Sequence, residues 1–283
     1  MIQIFTQVKE LQDYISKAKK GGKTIGFAPT MGALHDGHMS LIDKAHEQSD
    51  IVVSSIFVNP TQFNDPADLI KYPRPLENDL RMLDSHQIDA LLLPAVEEIY
   101  GLAFDHNLSL ELGDLITVME GANRPGHFEG VIDVVYRLLQ IVIPDHLYMG
   151  QKDFQQFTII QSMILQLDLP VKLVVCSIIR EEDGLARSSR NVRIDSKLRP
   201  KAALLYKTLL EVKKNYHNLK PAEITKKSLT AFRKAGLRAE YFNIVDGNTL
   251  QPISSFDETE YIVTCTAVWV GDVRLIDNMI IKS

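Results

Sequence analysis

The chain has 283 residues, 45% of them hydrophobic and 24% charged, enough apolar material for one large or two medium globular domains. Its formal net charge of -5 at pH 7 argues against a nucleic-acid binder working through a broad basic surface, and no apolar segment is long enough to span a bilayer. The first residues show no basic stretch leading into a long apolar one, and Cys176 and Cys265 lie in separate apolar runs without metal-ligand spacing, so a reducing cytoplasm and buried thiols are expected.

Along the chain, strand-like and helix-like patterns alternate. Val8, Leu11 and Ile15 keep helical spacing up to Gly21-Gly22. Residues 24–28 read as a strand, and Leu41, Ile42 and Ala45 then share one helical face. Residues 51–58 form a β-branched apolar run, the pattern of a strand buried on both faces. Leu76, Leu80 and Leu83 predict a helix, residues 90–93 a strand, and 131–143 a strongly apolar helix stopped by Pro144. A strand at 146–149, a helix at 153–167 with Asp153 as N-cap, and a strand at 171–176 follow. Such alternation implies a Rossmann-like, doubly wound parallel sheet covered by helices on both faces. After about residue 180 the pattern changes. A polar stretch at 180–191 precedes helices at 201–216 and 222–235, strands at 241–245 and 261–270, and a terminal segment at 274–281. The expected organisation is a nucleotide- and substrate-binding domain over 1–178 and a smaller α+β C-terminal lid domain over 179–283.

Three polar clusters follow predicted strands, where open parallel sheets bind ligands. The first is Pro29-Thr30-Met31-Gly32-Ala33-Leu34-His35-Asp36-Gly37-His38. Two imidazoles there sit at a strand-to-helix turn, and a helix N-terminus carries unpaired N–H groups and a partial positive charge suited to phosphate. Taken alone, His-x-Gly-His is equally a turn and a cap. The second cluster is Asn59-Pro60-Thr61-Gln62-Phe63, in which Asn59-Pro60 is a common turn dipeptide, while the Gln62 amide can both donate and accept. The third is Gly150-Gln151-Lys152-Asp153-Phe154-Gln155-Gln156. It puts a lysine beside a helix start, although Asp153 and Gln156 also stand at capping-box spacing. Asn123-Arg124-Pro125-Gly126-His127-Phe128 reads equally as a plain turn. Asp183-Gly184-Leu185-Ala186-Arg187-Ser188-Ser189-Arg190-Asn191 gathers two guanidinium groups and two hydroxyls, a compact oxyanion clamp or an exposed basic loop.

Together, and in this order, these motifs resemble the pantoate–β-alanine ligase family over nearly the whole chain. Tyr72-Pro73-Arg74, Arg124 through Val131 and the C-terminal Gly271-Asp272-Val273-Arg274-Leu275-Ile276-Asp277-Asn278 belong to the same resemblance. It implies ATP-dependent condensation of (R)-pantoate with β-alanine through a pantoyl adenylate, giving pantothenate, AMP and pyrophosphate. By position, it assigns Met31, Gly32, Ala33, Leu34, His35, Asp36, Gly37 and His38 to ATP, together with Gly150, Gln151, Lys152, Asp153, Ile179, Arg187, Ser188, Ser189 and Arg190. His38, His35, Lys152 and Arg190 take the catalytic roles, and Asn59, Gln62 and Gln156 bind pantoate or β-alanine. Mg²⁺ is implied with ATP, and a homodimer without nucleic-acid or membrane partners. Departures from the commonest pattern are Arg187, Gln151, Thr61 and Asp133. Asn78-Asp79 stands where some relatives carry two acidic residues, leaving Asp79 the candidate protein ligand for the metal. Rival readings are a nucleotidyltransferase that stops at a nucleotidylated product and a non-catalytic nucleotide-binding regulator. A tRNA-charging enzyme is disfavoured because no basic or anticodon-binding appendage is visible.

Overall fold

The computed structural model describes residues 2–64, 66–102 and 108–283. In chain order the strands are β1 (Gln3–Phe5), β2 (Ile25–Thr30), β3 (Ile51–Ile56), β4 (Ala90–Leu92), β5 (His146–Gly150), β6 (Lys172–Cys176), β7 (Arg238–Asp246), β8 (Ile262–Val270) and β9 (Val273–Lys282). The helices are α1 (Val8–Lys20), α2 (Asp36–His46), α3 (Pro66–Lys71), α4 (Leu76–Ser85), α5 (Val96–Tyr100), α6 (Met119–Asn123), α7 (His127–Val142), α8 (Phe154–Gln166), α9 (Arg199–Ala202), α10 (Leu204–Asn215) and α11 (Pro221–Lys234).

Contacts group the chain into two units. The first comprises Met1–Leu112, Asn123–Gly150 and Ile159–Cys176; the second comprises Gly113–Ala122, Gln151–Thr158 and Ser177–Ser283. The first unit holds a six-stranded, all-parallel sheet in the order β1-β4-β3-β2-β5-β6. From β2 the chain moves outward to β3 and β4, then returns to place β5 on the other side of β2. The β2/β5 junction is therefore the topological switch point, where ligands bind such sheets beyond the strand C-termini. β3 is buried nearly throughout, Ser54 and Ser55 included, as expected for a central strand covered on both faces. Leu41, Ile42 and Ala45 of α2 pack with Val52, Ile56, Leu91 and Tyr148 into one of the cores.

The second unit is built on the antiparallel sheet β7-β8-β9. Leu205, Leu209 and Val212 of α10 and Ile224 and Phe232 of α11 bury against Phe242, Ile244, Val268 and Leu275 of the sheet. Two segments from earlier in the sequence are tied to this unit by buried polar contacts. Arg274 of β9 makes a bidentate pair with Glu120 (2.7 and 2.8 Å), and Gln155 donates to the carbonyls of Leu115 and Val118. Both cysteines are free and buried, as expected, and burial pushes the Cys176 thiol up to about 11. Among the described residues, no helix is long and apolar enough to cross a membrane.

Candidate active site

In the first unit, β2 ends at Thr30 and the chain turns through residues 31–34 into α2. This turn is built rather than loose. Ala33 sits at φ 51°, a left-handed conformation that a residue with a Cβ rarely adopts. It is held there by Asp79 of α4, whose two oxygens accept the N–H groups of Ala33 and Leu34, both at 2.8 Å. Gly32, Ala33, Leu34 and Asp79 are all buried. Asp79 is therefore an anchor for the loop, and both its oxygens are engaged by main-chain donors.

His35 is the N-cap of α2, and His38 is its third residue. His35 Nδ1 accepts from the N–H of Gly37 (3.2 Å), and His38 Nδ1 accepts from the N–H of His35 (3.3 Å). The rings stack with centroids 4.1 Å apart. An imidazole that accepts through Nδ1 carries its proton on Nε2 when neutral, so both rings are fixed as Nε2–H donors. The pair forms a capping box in which histidines take the places usual for Ser and Glu. Asp36 is exposed in the first helical turn, while Gly37 and the two histidines are half-buried.

Gln62 lies in the 3-10 turn Pro60–Gln62 after β3 and is 9% exposed. Its Oε1 accepts from Asn59 Nδ2 (3.3 Å), its Nε2 reaches Met31 Sδ (3.0 Å), and its carbonyl faces His127 Nδ1 (2.9 Å). Arg124 Nη1 lies 3.0 Å from His127 Nε2, which fixes that nitrogen as acceptor and Nδ1–H as the donor to Gln62. Asn59, 1% exposed, also donates to the Gly130 carbonyl and accepts from Thr61 and from the Tyr100 hydroxyl (2.6 Å). All four of its hydrogen-bonding directions thus meet protein, so Asn59 orients Gln62. Burial raises the Tyr100 phenol, which keeps it a donor, and Arg137 lies over its ring at 4.8 Å. The Met31 contact brings the residue 31–38 segment and Gln62 together, as their shared rim predicts.

In the second unit, Gln151 and Lys152 form the turn before α8. Their carbonyls both accept from Asn278 Nδ2 at 2.9 Å, and Gln151 Nε2 donates to Asn278 Oδ1 (3.1 Å). Asp153 is exposed and Gln156 half-buried, while the adjoining Gln155 is buried by its own amide contacts. Residues 179–191 fold back as a short hairpin. Arg180 bridges Ala186, and the Ile179 carbonyl accepts from the Arg187 N–H (2.9 Å). Arg187 pairs with Glu181 at 3.5 Å, and Ser188 Oγ accepts from the Arg190 N–H (3.3 Å). Arg187, Ser188, Ser189 and Arg190 are half-buried along this hairpin, and Ile179 is 37% exposed. Its turn is braced by Arg199, which reaches Asp183 and Glu181, each at 2.6 Å.

Asp79, His127, Tyr100 and Asn278 are the contributors whose structural roles motif reading did not find. His127 and Asn278 lay within recognised motifs, which was the available signal. Asp79 had a signal only as a metal candidate, and Tyr100 had none.

A sequence profile of the family described as pantoate-beta-alanine ligase matches residues 3–280. A pantothenate synthetase of Porphyromonas gingivalis is 47% identical over 284 residues, covering 98% of this chain and 99% of the relative. One from Fervidobacterium nodosum is 43% identical, covering 100% and 99%. Among solved structures, pantothenate synthetase from Thermus thermophilus superposes with a TM-score of 0.91 at 38% identity, over 99% of this chain and 100% of the other. The pantoate-beta-alanine ligase of Francisella tularensis, complexed with beta-gamma ATP and beta-alanine, gives 0.78 at 35% identity, over 99% and 98%. Matched from residue 3 to residue 280 and by relatives along its whole length, the chain belongs to the pantoate-beta-alanine ligase family.

Proposed function

We propose that the chain activates (R)-pantoate as pantoyl adenylate and transfers the acyl group to β-alanine. A carboxylate is a poor acyl donor. One pantoate oxygen therefore attacks the α-phosphorus of ATP, the bond to pyrophosphate breaks, and the mixed anhydride forms. The β-alanine amine then attacks the acyl carbon, AMP departs, and the amine proton is lost as pantothenate is released.

The observation that carries this reading is the fixed pair of Nε2–H donors at the N-terminus of α2, at the switch point and in contact through Met31 with a glutamine whose side-chain amide is oriented by Asn59 and Met31 and whose main-chain carbonyl is held by His127. His38 and His35 donate to phosphate oxygens as charge develops there, and Lys152 and Arg190 supply positive charge to the phosphates. Residues 31–34, Asp36, Gly37, Gly150, Gln151, Asp153, Arg187, Ser188 and Ser189 line the nucleotide, and the Ile179 main chain borders the adenine. Gln62 and Gln156 bind pantoate, with Asn59 acting through Gln62. Mg²⁺ enters with ATP, as the metal–nucleotide substrate. Asp79 does not fit as its protein ligand, because both oxygens already accept main-chain N–H groups, and no His, Cys, Asp or Glu trio converges among the described residues. The working form is a cytoplasmic homodimer.

The test is ATP–pyrophosphate isotope exchange with and without pantoate, followed by β-alanine. Exchange should require pantoate alone, and β-alanine should convert the bound intermediate to an amide. Loss of one transition-state donor typically costs about 10²–10³ in rate, so His38→Ala should lose that much exchange while keeping its fold. Exchange without pantoate, or a His38→Ala variant near the parent rate, would overturn the assignment.

A further inference from the structure

The C-terminal stretch Gly271-Asp272-Val273-Arg274-Leu275-Ile276-Asp277-Asn278 belongs to the family resemblance, yet the reaction above leaves it without a role. In β9, side chains alternate between the two faces of the sheet. Leu275 and Met279 enter the core of the second unit, so Asp277 shares their side and Asn278 the other. Asn278, 2% exposed, meets two main-chain carbonyls, Gln151 and Lys152, with its NH₂ and the Gln151 side chain with its oxygen. A primary amide supplies two donors and an acceptor at one end, and a carboxylate of the same shape supplies no donor at all.

Asp277 reaches the opposite way. Its oxygens accept from Arg180 Nη1 (2.7 Å) and Nη2 (3.0 Å). Arg180 also donates to the Gly184 carbonyl (3.0 Å) and lies 4.1 Å from the centroid of the Tyr206 ring. Gly184 is at φ 88°, and a Cβ there would lie 2.0 Å from Tyr206, so the hairpin closes onto this ring only with glycine at its tip. Two consecutive residues of one strand thus grip the Gln151–Lys152 turn on one face and the base of the 180–190 hairpin on the other.

We propose that Asp277 and Asn278 are positioning residues for the nucleotide step. Asn278 fixes the turn that aims Lys152, and Asp277, through Arg180, fixes the hairpin that carries Arg187 and Arg190. This rests on the reading of Lys152 as a phosphate ligand. Phosphoryl chemistry depends on where charge is placed, and a displacement of about 1 Å is enough to cost ~10²-fold. Asn278 holds the main-chain carbonyls of the Lys152 turn and Asp277 holds Arg180, and neither touches Gln62 or Gln156, so the effect belongs to the rate of adenylate formation and not to pantoate binding.

The test is a double-mutant cycle on pantoate-dependent ATP–pyrophosphate exchange, using Lys152→Ala, Asn278→Ala and both together, with the Tm of each variant. Asn278→Ala is expected to lower kcat about 10- to 100-fold with KM for pantoate within about twofold, and to add no further loss on top of Lys152→Ala. Asn278→Ser, which keeps one donor, should fall between parent and Ala, and it carries the test if Asn278→Ala does not fold. Losses that multiply in the double variant, or an Asn278→Ala variant at the parent rate, overturn the inference alone. A Lys152→Ala variant at the parent rate overturns the reading on which it rests.

Discussion

Asp79 places two carboxylate oxygens against two main-chain donors and thereby holds Ala33 at a positive φ. A residue kept in that region carries strain of about 1–3 kcal/mol, which persists only while neighbours impose it. Asp79→Asn would turn one acceptor into an NH₂ facing an N–H. The expected result is a loss of about 1–3 kcal/mol of stability by denaturant melts, with KM for ATP raised more than KM for pantoate in steady-state assays. An unchanged melt and an unchanged KM for ATP would show that the loop holds itself. Which of these residues was legible beforehand has a physical basis. His35, His38 and Gln62 announce themselves because unusual side chains sit at strand ends. Asp79, Tyr100 and His127 work across 46, 41 and 65 residues of sequence, through bonds to main chain or to another side chain's oxygen, and no local pattern marks such bonds.

At the scale of elements, periodicity locates the long pieces and misjudges their ends. The apolar pattern of α7 begins at Val131, but the helix begins at His127, one turn earlier, behind Gly126 at φ 82°. Its polar first turn looks like part of the preceding loop. At Gly130 the helix backbone comes so close to the turn bearing Gln62 that a Cβ would lie 2.5 Å from the Thr61 carbonyl. The three-residue strand β1 and the helices α3, α5 and α6 are too short to show a period, and the single helix expected from residue 201 is split into α9 and α10. The 180–191 stretch reads as irregular because its order comes from ion pairs. Hydrogen bonding from Arg199 holds the Asp183 carboxyl below the ordinary range against its burial, and Glu181, which burial alone would raise, is held below it by Asn191 and Arg199. Carboxyls depressed in the folded state stabilise it above their unfolded values, near about 4, and that contribution disappears as pH falls through the folded ones. Amide exchange across residues 181–190, corrected for intrinsic rates, should therefore stay level from pH 7 to about 5 and rise below about pH 4. Opening that increases toward neutral pH would have the wrong sign for these pairs.

For the molecule as a whole, the alternation of strand and helix patterns was enough to specify a parallel sheet. Buried parallel strands are apolar on both faces, and the helices between them have to cross over. Two helices followed by strand patterns made a smaller α+β region legible, while the antiparallel pairing of β7, β8 and β9 comes from the structure. The edge strand β6 departs from the rule for such sheets. Val175 is 41% exposed, Leu173 and Val174 are only half-buried, and Leu165 of α8 is 71% exposed. An apolar edge left open to water invites pairing, so the second copy in the proposed homodimer is expected to cover it. Sedimentation should show Val175→Glu dissociating at least about 10-fold more readily than the parent, a difference of ~1.4 kcal/mol. Equal dimer stability would place the contact elsewhere. The grip of Asn278 on the Lys152 carbonyl spans 126 residues. A ribosome that has just added Lys152 must therefore add that many more amino acids before this turn meets its clamp. A nascent chain cut short of that point has the histidine pair in full and lacks the strand that steadies its lysine.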